Sequence, residues 1–274
     1  FVDQKSLQLQ FKDRPPVEGR FAIACDGIHS VIRKQLYPHE GEPHYTGVNM
    51  WRGVTRWKPV LSGASMTRAG WLATGKLVHY PIRNHADGTQ LVNWLWEIET
   101  PEYKRWDWNR AAKVDDFIAG AQSWRFDWLD VPAFLRAAEL VLEYPMVDKD
   151  PLPAWTFGRV TLLGDAAHPM VPRGSNGAGQ AILDARALAL CLQAGNNPLK
   201  AYEEQRLGPT SNVVLENRRN PPDAILREVY ERTGDRPFER IDAVISAQEL
   251  AALSERYKQV AGLTKNSTKG AEKS

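Results

Sequence analysis

The chain has 274 residues, 43% of them hydrophobic, and a formal net charge of +2. This length and composition indicate a globular protein with one large or two ordinary domains. No Lys and Arg block predicts nucleic-acid binding, and no apolar run of about 18 residues or signal peptide predicts a membrane or secreted protein. Two cysteines, Cys25 and Cys191, lie in apolar stretches without metal-ligand spacing, so we expect buried free thiols, no metal and a cytoplasmic location.

The first part of the chain has an α/β pattern. Residues 1–11 are predicted to form a strand, and the apolar run at 21–25 suits a strand buried on both faces. A short helix is predicted over residues 30–36, with Ser30 as its cap.

The middle of the chain has the pattern of an antiparallel sheet. We predict strands at residues 48–55, 76–82 and 90–98, and in the third strand one face is formed by Val92, Trp94, Trp96 and Ile98. Residues 107–137 are predicted to be mainly helical, and residues 140–146 to form a returning strand.

The last part returns to the α/β pattern. An apolar run at 160–163 is followed by a Gly-rich loop and a predicted helix at 180–192, whose apolar face is Ala181, Ala185, Leu188 and Leu192. Residues 195–198, Gly-Asn-Asn-Pro, are predicted to end this helix, and a further helix is predicted at 198–219. Two more helices follow, the second at 241–263, and the polar segment 264–274 is predicted to be disordered.

Residues 164–178 read GDAAHPMVPRGSNGA and carry the strongest functional signal. The preceding strand places Asp165 at its carboxyl end, where open α/β sheets bind ligands. Glycines let the backbone approach a flat ring, and the helix start offers unpaired N–H groups with a partial positive charge. The segment therefore predicts a site for a large polar cofactor. A second segment, ACDGIHSVIR at 24–33, places Asp26 and Gly27 after an earlier strand.

Both segments resemble fingerprints of the single-component FAD-dependent aromatic-ring hydroxylases of the p-hydroxybenzoate hydroxylase type. The resemblance implies a partial FAD-binding Rossmann-like domain with an inserted antiparallel-sheet substrate domain and C-terminal helices. It divides the chain at residues 1–46, 47–150, 151–222 and 223–274. It implies an FAD-dependent monooxygenase that hydroxylates an aromatic or heteroaromatic substrate with NADH or NADPH and O2, through a C4a-hydroperoxyflavin. Such an enzyme is expected to be a monomer or homodimer.

The resemblance also implies roles for individual residues. Asp165 would bind the ribityl chain of FAD, and the cofactor-binding set would be completed by Asp26, Gly27, Arg33, Gly164, Gly174, Ser175, Asn176 and Gly177. Pro172 would lie beside the flavin on the substrate side, with its carbonyl available. We expect a structural role for His168, while Arg173 could meet an anionic substrate or the nicotinamide cofactor, or could be a solvated loop arginine. On the substrate sheet the candidates are Trp51, Arg52, Tyr80 and Trp94.

Several stretches, among them MWRGVT at 50–55 and YPMVDKDPLP at 144–153, resemble one branch of the family, the 5-methylphenazine-1-carboxylate 1-monooxygenases. The chain contains no G-x-G-x-x-G, the loop that opens such enzymes, so we expect a fragment or the product of a truncated gene. Three alternatives remain open: an inactive domain that only binds a ligand, a flavin-dependent reductase, and a halogenase, which WLWEI at 94–98 resembles in part.

Overall fold

The computed structural model describes residues 7–101, 110–219 and 223–260. Within these ranges the strands are β1 (Gln8–Leu9), β2 (Val17–Glu18), β3 (Ala22–Ala24), β4 (His44–Trp57), β5 (Thr67–Trp71), β6 (Gly75–Asn84), β7 (Gln90–Glu99), β8 (Arg110–Ala112), β9 (Arg125–Phe126), β10 (Leu129–Asp130), β11 (Val141–Asp148), β12 (Thr156–Phe157) and β13 (Val160–Leu162). The α-helices are α1 (Val31–Leu36), α2 (Val131–Arg136), α3 (Gly177–Ala194), α4 (Pro198–Arg219), α5 (Ala224–Thr233) and α6 (Ala247–Val260).

The chain divides into two compact units. The first comprises Phe1–His44, Val147–Ile225 and Ile245–Ser274, and the second comprises Tyr45–Met146 and Leu226–Val244. The segment 223–274, expected as one C-terminal region, is shared between the two units. The predicted tail at 264–274 lies outside the described residues, as do residues 1–6 of the predicted first strand.

The first unit is built on a three-stranded sheet in the order β12-β13-β3. Strand β13 runs parallel to β3, with Leu162 opposite Ala24, and the N–H of Leu163 donates to the carbonyl oxygen of Ala24 at 2.9 Å. Strand β3 buries only one face: Ala22 and Ala24 are buried, while Ile23, which alternation places on the other face, is 41% exposed. The prediction of a strand buried on both faces is therefore wrong. The predicted buried thiols are also wrong, since Cys25 is exposed and Cys191 is only half-buried.

Helices α3 and α4 pack over the turns that follow these strands. Their contact layer contains Ala167, Leu188 and Tyr202, and Gly195 ends α3 in the left-handed conformation. The buried positions of α3 are Gln180, Asp184, Ala187 and Leu188. Of the predicted apolar face only Leu188 is buried, while Ala185 and Leu192 are exposed. The difference arises because α3 buries a hydrogen-bonded polar network beside the turn, described below.

The second unit contains a six-stranded sheet in the order β5-β6-β7-β4-β11-β8. The central pair, β4 and β7, is antiparallel over ten residue pairs, including Trp51 opposite Trp96 and Gly53 opposite Trp94. The predicted face of β7 is confirmed: its four members pack in or against one apolar core, namely Val92, Trp94, Trp96 and Ile98.

The mainly helical prediction for residues 107–137 is wrong over the described part. Residues 107–109 lie outside it, and the rest forms β8, two short 3-10 helices, the β9–β10 hairpin and the six-residue helix α2. Aromatic side chains explain the difference, because Phe117, Trp124 and Phe134 pack on the sheet from these short elements rather than from one long helix.

Candidate functional site

The two sequence motifs meet at one edge of the three-stranded sheet. Since β3 and β13 are parallel and adjacent, their carboxyl ends lie side by side, and Asp26 and Asp165 follow in the next turns. This is the position at which open α/β sheets bind ligands. The sequence could predict this convergence because both motifs directly follow a short apolar strand.

Asp165 is presented to solvent by a segment that is otherwise buried. Every residue from 160 to 171 is buried except Asp165. None of the hydrogen bonds or ion pairs within the described residues uses its carboxylate, and a methyl group at Gly177 would lie 3.7 Å from its Oδ1 atom. An exposed carboxylate beside the first residue of α3 is available to accept hydrogen bonds from a ligand.

The start of α3 is open. Ser175 has a φ of 53°, in the left-handed region, and Asn176 follows as the N-cap residue without a side-chain capping hydrogen bond in the described structure. The first turn, Gly177 to Gly179, has no acidic side chain, and a Cβ atom at Gly179 would meet nothing within 4 Å. The backbone N–H groups of this turn, with the positive end of the helix dipole, therefore suit an electron-rich group.

Pro172 begins the short 3-10 helix Pro172–Gly174 that leads to α3, and it is exposed. Its carbonyl oxygen accepts a hydrogen bond from the N–H of Ser175 at 3.0 Å. The expected available carbonyl is therefore already engaged in holding the loop. Arg173 pairs with the buried carboxylate of Asp223, with Nη2 and Oδ1 3.1 Å apart, which favours a loop-anchoring role.

Asp26 and Ser30 both cap the short helix α1. Oδ2 of Asp26 accepts from the N–H of Val31 at 2.9 Å, and the Ser30 hydroxyl accepts from the N–H of Arg33 at 2.9 Å. The predicted Ser30 cap is confirmed. Gly27 allows the turn between them, with a φ of 78°. One carboxylate oxygen of Asp26 thus stabilises the start of α1. The contact of Asp26 with a cofactor remains a prediction.

Arg33 does not face a cofactor, which corrects the role expected from the sequence. Its side chain is 1% exposed, and all its N–H donors are engaged. Nη1 donates to the carbonyl oxygens of Ala166 and Ala167 at 3.0 and 2.9 Å. Nε and Nη2 bind the carboxylate of Glu40, and Nη2 also donates to the carbonyl oxygen of Asp150 at 3.3 Å. Arg33 therefore ties the Asp26 motif to the Asp165 motif.

Glu40 is the acidic partner of Arg33 in this link between the two motifs. Burial would raise the pKa of the Glu40 carboxyl, but hydrogen bonds from Arg33 and Lys149 outweigh it and hold the pKa below its usual value. Nζ of Lys149 lies 2.8 Å from Oε2 of Glu40. The carboxylate is therefore charged at neutral pH and matches the guanidinium it binds.

A second buried network fixes the turn around Gly164. Asp184 on α3 is fully buried and accepts from the N–H of Gly164 at 3.3 Å, from His168 Nε2 at 2.5 Å and from Arg206 Nε at 2.7 Å. Burial would raise the pKa of Asp184, yet His168 and Arg206 lower it overall. Gly164 has a φ of 62°, and a Cβ there would lie 3.3 Å from Ala181. The structural role predicted for His168 is confirmed.

The four substrate candidates on the sheet of the second unit lie on opposite faces. Trp51 and Trp94 are 7% and 0% exposed in the apolar core, where Trp51 stacks on Phe117 with ring centroids 5.1 Å apart. Arg52 and Tyr80 point the other way, because neighbouring residues of a strand alternate. We call the side that carries Arg52, Val54, Tyr80 and Asn93 the outer face. Trp51 and Trp94 are core residues and do not line a site on this face.

Sequence reasoning missed Asp184, Arg206 and Glu40. A buried aspartate inside an apolar helix pattern was the available signal for Asp184, since buried charges require partners. Among the described residues, no group of His, Cys, Asp and Glu could hold a metal ion, and no helix is both long and apolar enough to cross a membrane.

Comparison with known proteins agrees with this architecture. Residues 5–216 match the family described as an FAD binding domain. The chain therefore belongs to this FAD-binding family, which confirms the resemblance carried by the two motifs.

Among curated relatives, the chain is 40% identical over 209 residues to the phenazine 1,6-dicarboxylic acid hydroxylase PhzS of Lysobacter antibioticus, covering 73% of this chain and 51% of that protein. It is 31% identical over 219 residues to a 6-hydroxynicotinate 3-monooxygenase of Bordetella bronchiseptica, covering 77% of this chain and 55% of that protein. The chain thus spans about half the length of these relatives.

Solved structures share the fold. A salicylate hydroxylase substrate complex matches with a TM-score of 0.65 and 24% identity, covering 95% of this chain and 66% of that chain. Klebsiella pneumoniae HpxO, complexed with FAD and uric acid, matches with a TM-score of 0.68 and 21% identity, covering 95% and 63%. The predicted fold class, a mixed α/β arrangement with an FAD-binding domain, is confirmed.

Proposed function

We propose that this chain is part of an FAD-dependent monooxygenase that hydroxylates an aromatic carboxylic acid, with NADH or NADPH and O2 as co-substrates. The observation that carries the proposal is Asp165, the one exposed residue of a twelve-residue buried segment, held beside the open N-terminus of α3. Membership of the FAD-binding family supports the cofactor.

The residues of this edge fit the chemical groups of FAD. The Asp165 carboxylate would accept hydrogen bonds from ribityl hydroxyls, which are stronger for being charge-assisted. The N–H groups of Gly177 and its neighbours would bind the electron-rich end of the ring, and the absence of side chains at Gly177 and Gly179 leaves room for it. When bound, FAD supplies hydride acceptance and oxygen activation, and the protein supplies position, charge and exclusion of water.

The roles of this chain's residues follow from that division. Arg33 and Asp184 hold the two turns in place, so that the binding groups are positioned before the cofactor arrives. Pro172 and Ser175 fix the loop that leads into α3. No side chain is required as a nucleophile or general base, and we assign none.

The names of the curated relatives support an aromatic acid as substrate. They act on phenazine 1,6-dicarboxylic acid, 3-amino-4-hydroxybenzoate, 6-hydroxynicotinate and 3-hydroxybenzoate, each of which carries a carboxylate. On this chain the outer face offers Arg52 as a cation and Tyr80 as an aromatic side chain. We propose a cytoplasmic location, which the free thiols Cys25 and Cys191 support, and a monomeric or homodimeric state.

The test is oxygen transfer by the full-length gene product. We expect its purified form to retain FAD, to oxidise NADH or NADPH faster when an aromatic acid is added, and to incorporate oxygen-18 from O2 into the ring. A flavin-loaded protein that changes the substrate without oxygen-18 in the product would be a reductase. A gene product that binds an aromatic acid but never flavin would be a binding domain only.

A further inference from the structure

Arg206 on α4 binds two residues of α3 with one guanidinium. Its Nε donates to Oδ1 of Asp184 at 2.7 Å, and its Nη2 donates to Oε1 of Gln180 at 2.6 Å. Gln180 and Asp184 are 3% and 0% exposed, and the Arg206 side chain is 12% exposed. Because the two α3 residues are four positions apart, they lie on the same face of the helix. One side chain of α4 therefore holds the first two turns of α3.

Through Asp184, Arg206 is connected to the turn that presents Asp165. The second carboxylate oxygen of Asp184, Oδ2, accepts from the N–H of Gly164 at 3.3 Å and from Nε2 of His168 at 2.5 Å. A fully buried carboxylate needs a cation to stay charged, and a guanidinium keeps its charge throughout the physiological pH range. Arg206 thus maintains the acceptor that holds Gly164, the residue before Asp165.

Through Gln180, Arg206 is connected to the open start of α3. The backbone N–H of Gln180 donates to the carbonyl oxygen of Asn176, the N-cap residue, at 2.8 Å and closes the first turn. Arg206 fixes the side-chain amide of Gln180 at Oε1. The N–H groups of residues 177–179, which we propose for the electron-rich end of the flavin ring, therefore belong to a turn that α4 holds in place.

The backbone between the Asp165 turn and α3 contains little regular structure that could set their separation. Residues 164–176 form only two short 3-10 helices, Gly164–Ala166 and Pro172–Gly174. The segment also contains two left-handed residues, Gly164 with a φ of 62° and Ser175 with a φ of 53°. Side-chain links are therefore needed to keep the turn and the helix start in register, and Arg206 is connected to both.

We propose that Arg206 is a positioning residue for FAD, which acts through Asp184 and Gln180 to hold the Asp165 carboxylate and the first turn of α3 at the separation that the cofactor requires. Binding elements that are not held in advance must be ordered when the cofactor binds, and that cost lowers its affinity. The cofactor in this inference rests on the proposed function, whereas the contacts of Arg206 are those of this chain alone.

The experiment is titration of the flavin-free full-length protein with FAD, for the parent and for single substitutions. Arg206→Gln should weaken FAD binding by about tenfold or more, because hydrogen bonds to a charged group are lost. Arg206→Lys restores the charge as a single point and should recover only part of the affinity. Arg159→Gln removes an exposed arginine at the opposite end of β13 from Asp165, and it should leave the affinity at the parental value.

The midpoint potential of the bound flavin separates positioning from a general loss of structure. Reduced flavin carries negative charge, which the N–H groups at the start of α3 are proposed to stabilise. If these groups lose their position relative to the Asp165 turn, the reduced form is stabilised less. The potential of Arg206→Gln and of Gln180→Ala, measured at saturating FAD, should therefore be more negative than that of the parent. A parental potential in both variants would overturn the proposal.

Hydrogen exchange tests the link without the cofactor. In flavin-free Arg206→Gln, the backbone N–H of Gly164 should exchange about tenfold faster or more, because its acceptor loses a partner. The N–H of Leu163, which donates to the carbonyl oxygen of Ala24 at 2.9 Å, is the internal control and should keep its parental rate. A parental rate at Gly164 would overturn the link.

Gln180→Ala decides the case in which Arg206→Gln does not fold. It removes one of the two contacts of Arg206 and leaves the ion pair with Asp184 in place. Weakened FAD binding together with a parental exchange rate at Leu163 supports the proposal. Parental FAD affinity in Gln180→Ala overturns it.

The parent protein separates this inference from the proposed function. A full-length parent that never binds FAD would overturn the proposed function, and the role of Arg206 with it. A parent that binds FAD, while Arg206→Gln binds it as tightly as Arg159→Gln does, would overturn the inference about Arg206 alone.

Discussion

Nη1 of Arg33 donates to the carbonyl oxygen of Ala167 at 2.9 Å, joining two motifs that are more than a hundred residues apart in sequence. The guanidinium is buried, and its remaining donors bind the carbonyl oxygens of Ala166 and Asp150 and the carboxylate of Glu40. Arg33 therefore links the turn that follows β3 to the turn that follows β13. These two turns carry the proposed cofactor-binding groups.

Replacing Arg33 should destabilise the fold more than replacing its neighbour Lys34. In Arg33→Leu the half-buried Glu40 carboxylate keeps only Lys149 as a cationic partner, and the Ala166 and Ala167 carbonyls lose their donor. Losing hydrogen bonds to a charged group costs about 1.5–3 kcal/mol. We expect the free energy of unfolding, measured with urea, to fall by that amount. Lys34→Leu is the control, because Lys34 is exposed on the same helix and has no partner in the described structure. Similar losses of unfolding free energy in Arg33→Leu and Lys34→Leu would contradict the role of Arg33 in linking the two turns.

Substitutions at Gly164 and Gly179 should distinguish an effect on folding from an effect on cofactor binding. Gly164→Ala forces a left-handed φ of 62° on a residue with a side chain and presses on Ala181, so stability should fall by about 1–2 kcal/mol or more. Gly179→Ala meets open space in a helix, where alanine is favoured by up to about 1 kcal/mol. Thermal unfolding should therefore show Gly179→Ala at least as stable as the parent. Flavin retention should nevertheless fall, because the new methyl group would occupy the open turn.

His79 makes the second unit sensitive to acid. It is fully buried, with its ring 5.9 Å from Trp128 and 5.8 Å from Phe134, and neither ring nitrogen has a hydrogen-bond partner in the described structure. Burial lowers the pKa of this imidazole. The unfolded chain therefore binds a proton that the folded chain rejects, and the unfolding free energy falls as the pH drops below about 6.5 until it reaches the folded pKa.

The change His79→Phe should reduce that loss. Urea unfolding at about pH 7.5 and about pH 5.5 measures it, since the ordinary histidine pKa lies between them. His39→Gln removes an exposed histidine and serves as the control. A loss of stability on acidification that is the same in the parent and in His79→Phe would show that another group is responsible.

The close contact between Gly53 and Trp94 tests the assignment of Trp94 to the core. A Cβ atom at Gly53 would overlap the Trp94 ring, so Gly53→Ala should cost about 1–3 kcal/mol by overpacking. Combining it with Trp94→Phe should cost less than the sum of the two single changes, as a double-mutant cycle in urea would show. Gly208→Ala, where a Cβ meets nothing within 4 Å inside helix α4, should not destabilise the protein and should stabilise it by up to about 1 kcal/mol. Strict additivity would place the Trp94 ring elsewhere.

The sequence predicted the elements whose pattern is local and strong. The strand faces of β7, the boundaries of α4 and the Ser30 cap all follow from residue spacing within one element. The convergence of the two motifs followed from their positions after short apolar strands. Alternation on β4 could also have separated Trp51 from Arg52, because adjacent strand residues point to opposite faces.

What the sequence did not predict depends on distant partners. Nothing near Arg33 in the sequence indicates that Ala166 and Ala167 accept its hydrogen bonds, and nothing near Asp184 points to Arg206. The aromatic segment between β8 and α2 reads as helix, but its rings pack on the sheet from short elements, which overrides local propensity.

The most direct measurement of the central claim is the flavin content of Asp165→Ala set against its stability. The full-length protein should lose most of its bound FAD, seen as visible absorbance per protein. Its unfolding free energy should change little, because the Asp165 side chain is exposed and its carboxylate makes no hydrogen bond in the described structure. Asp127→Ala, at an exposed position of the second unit, should retain flavin at the parental level. Undiminished flavin in Asp165→Ala would contradict the account.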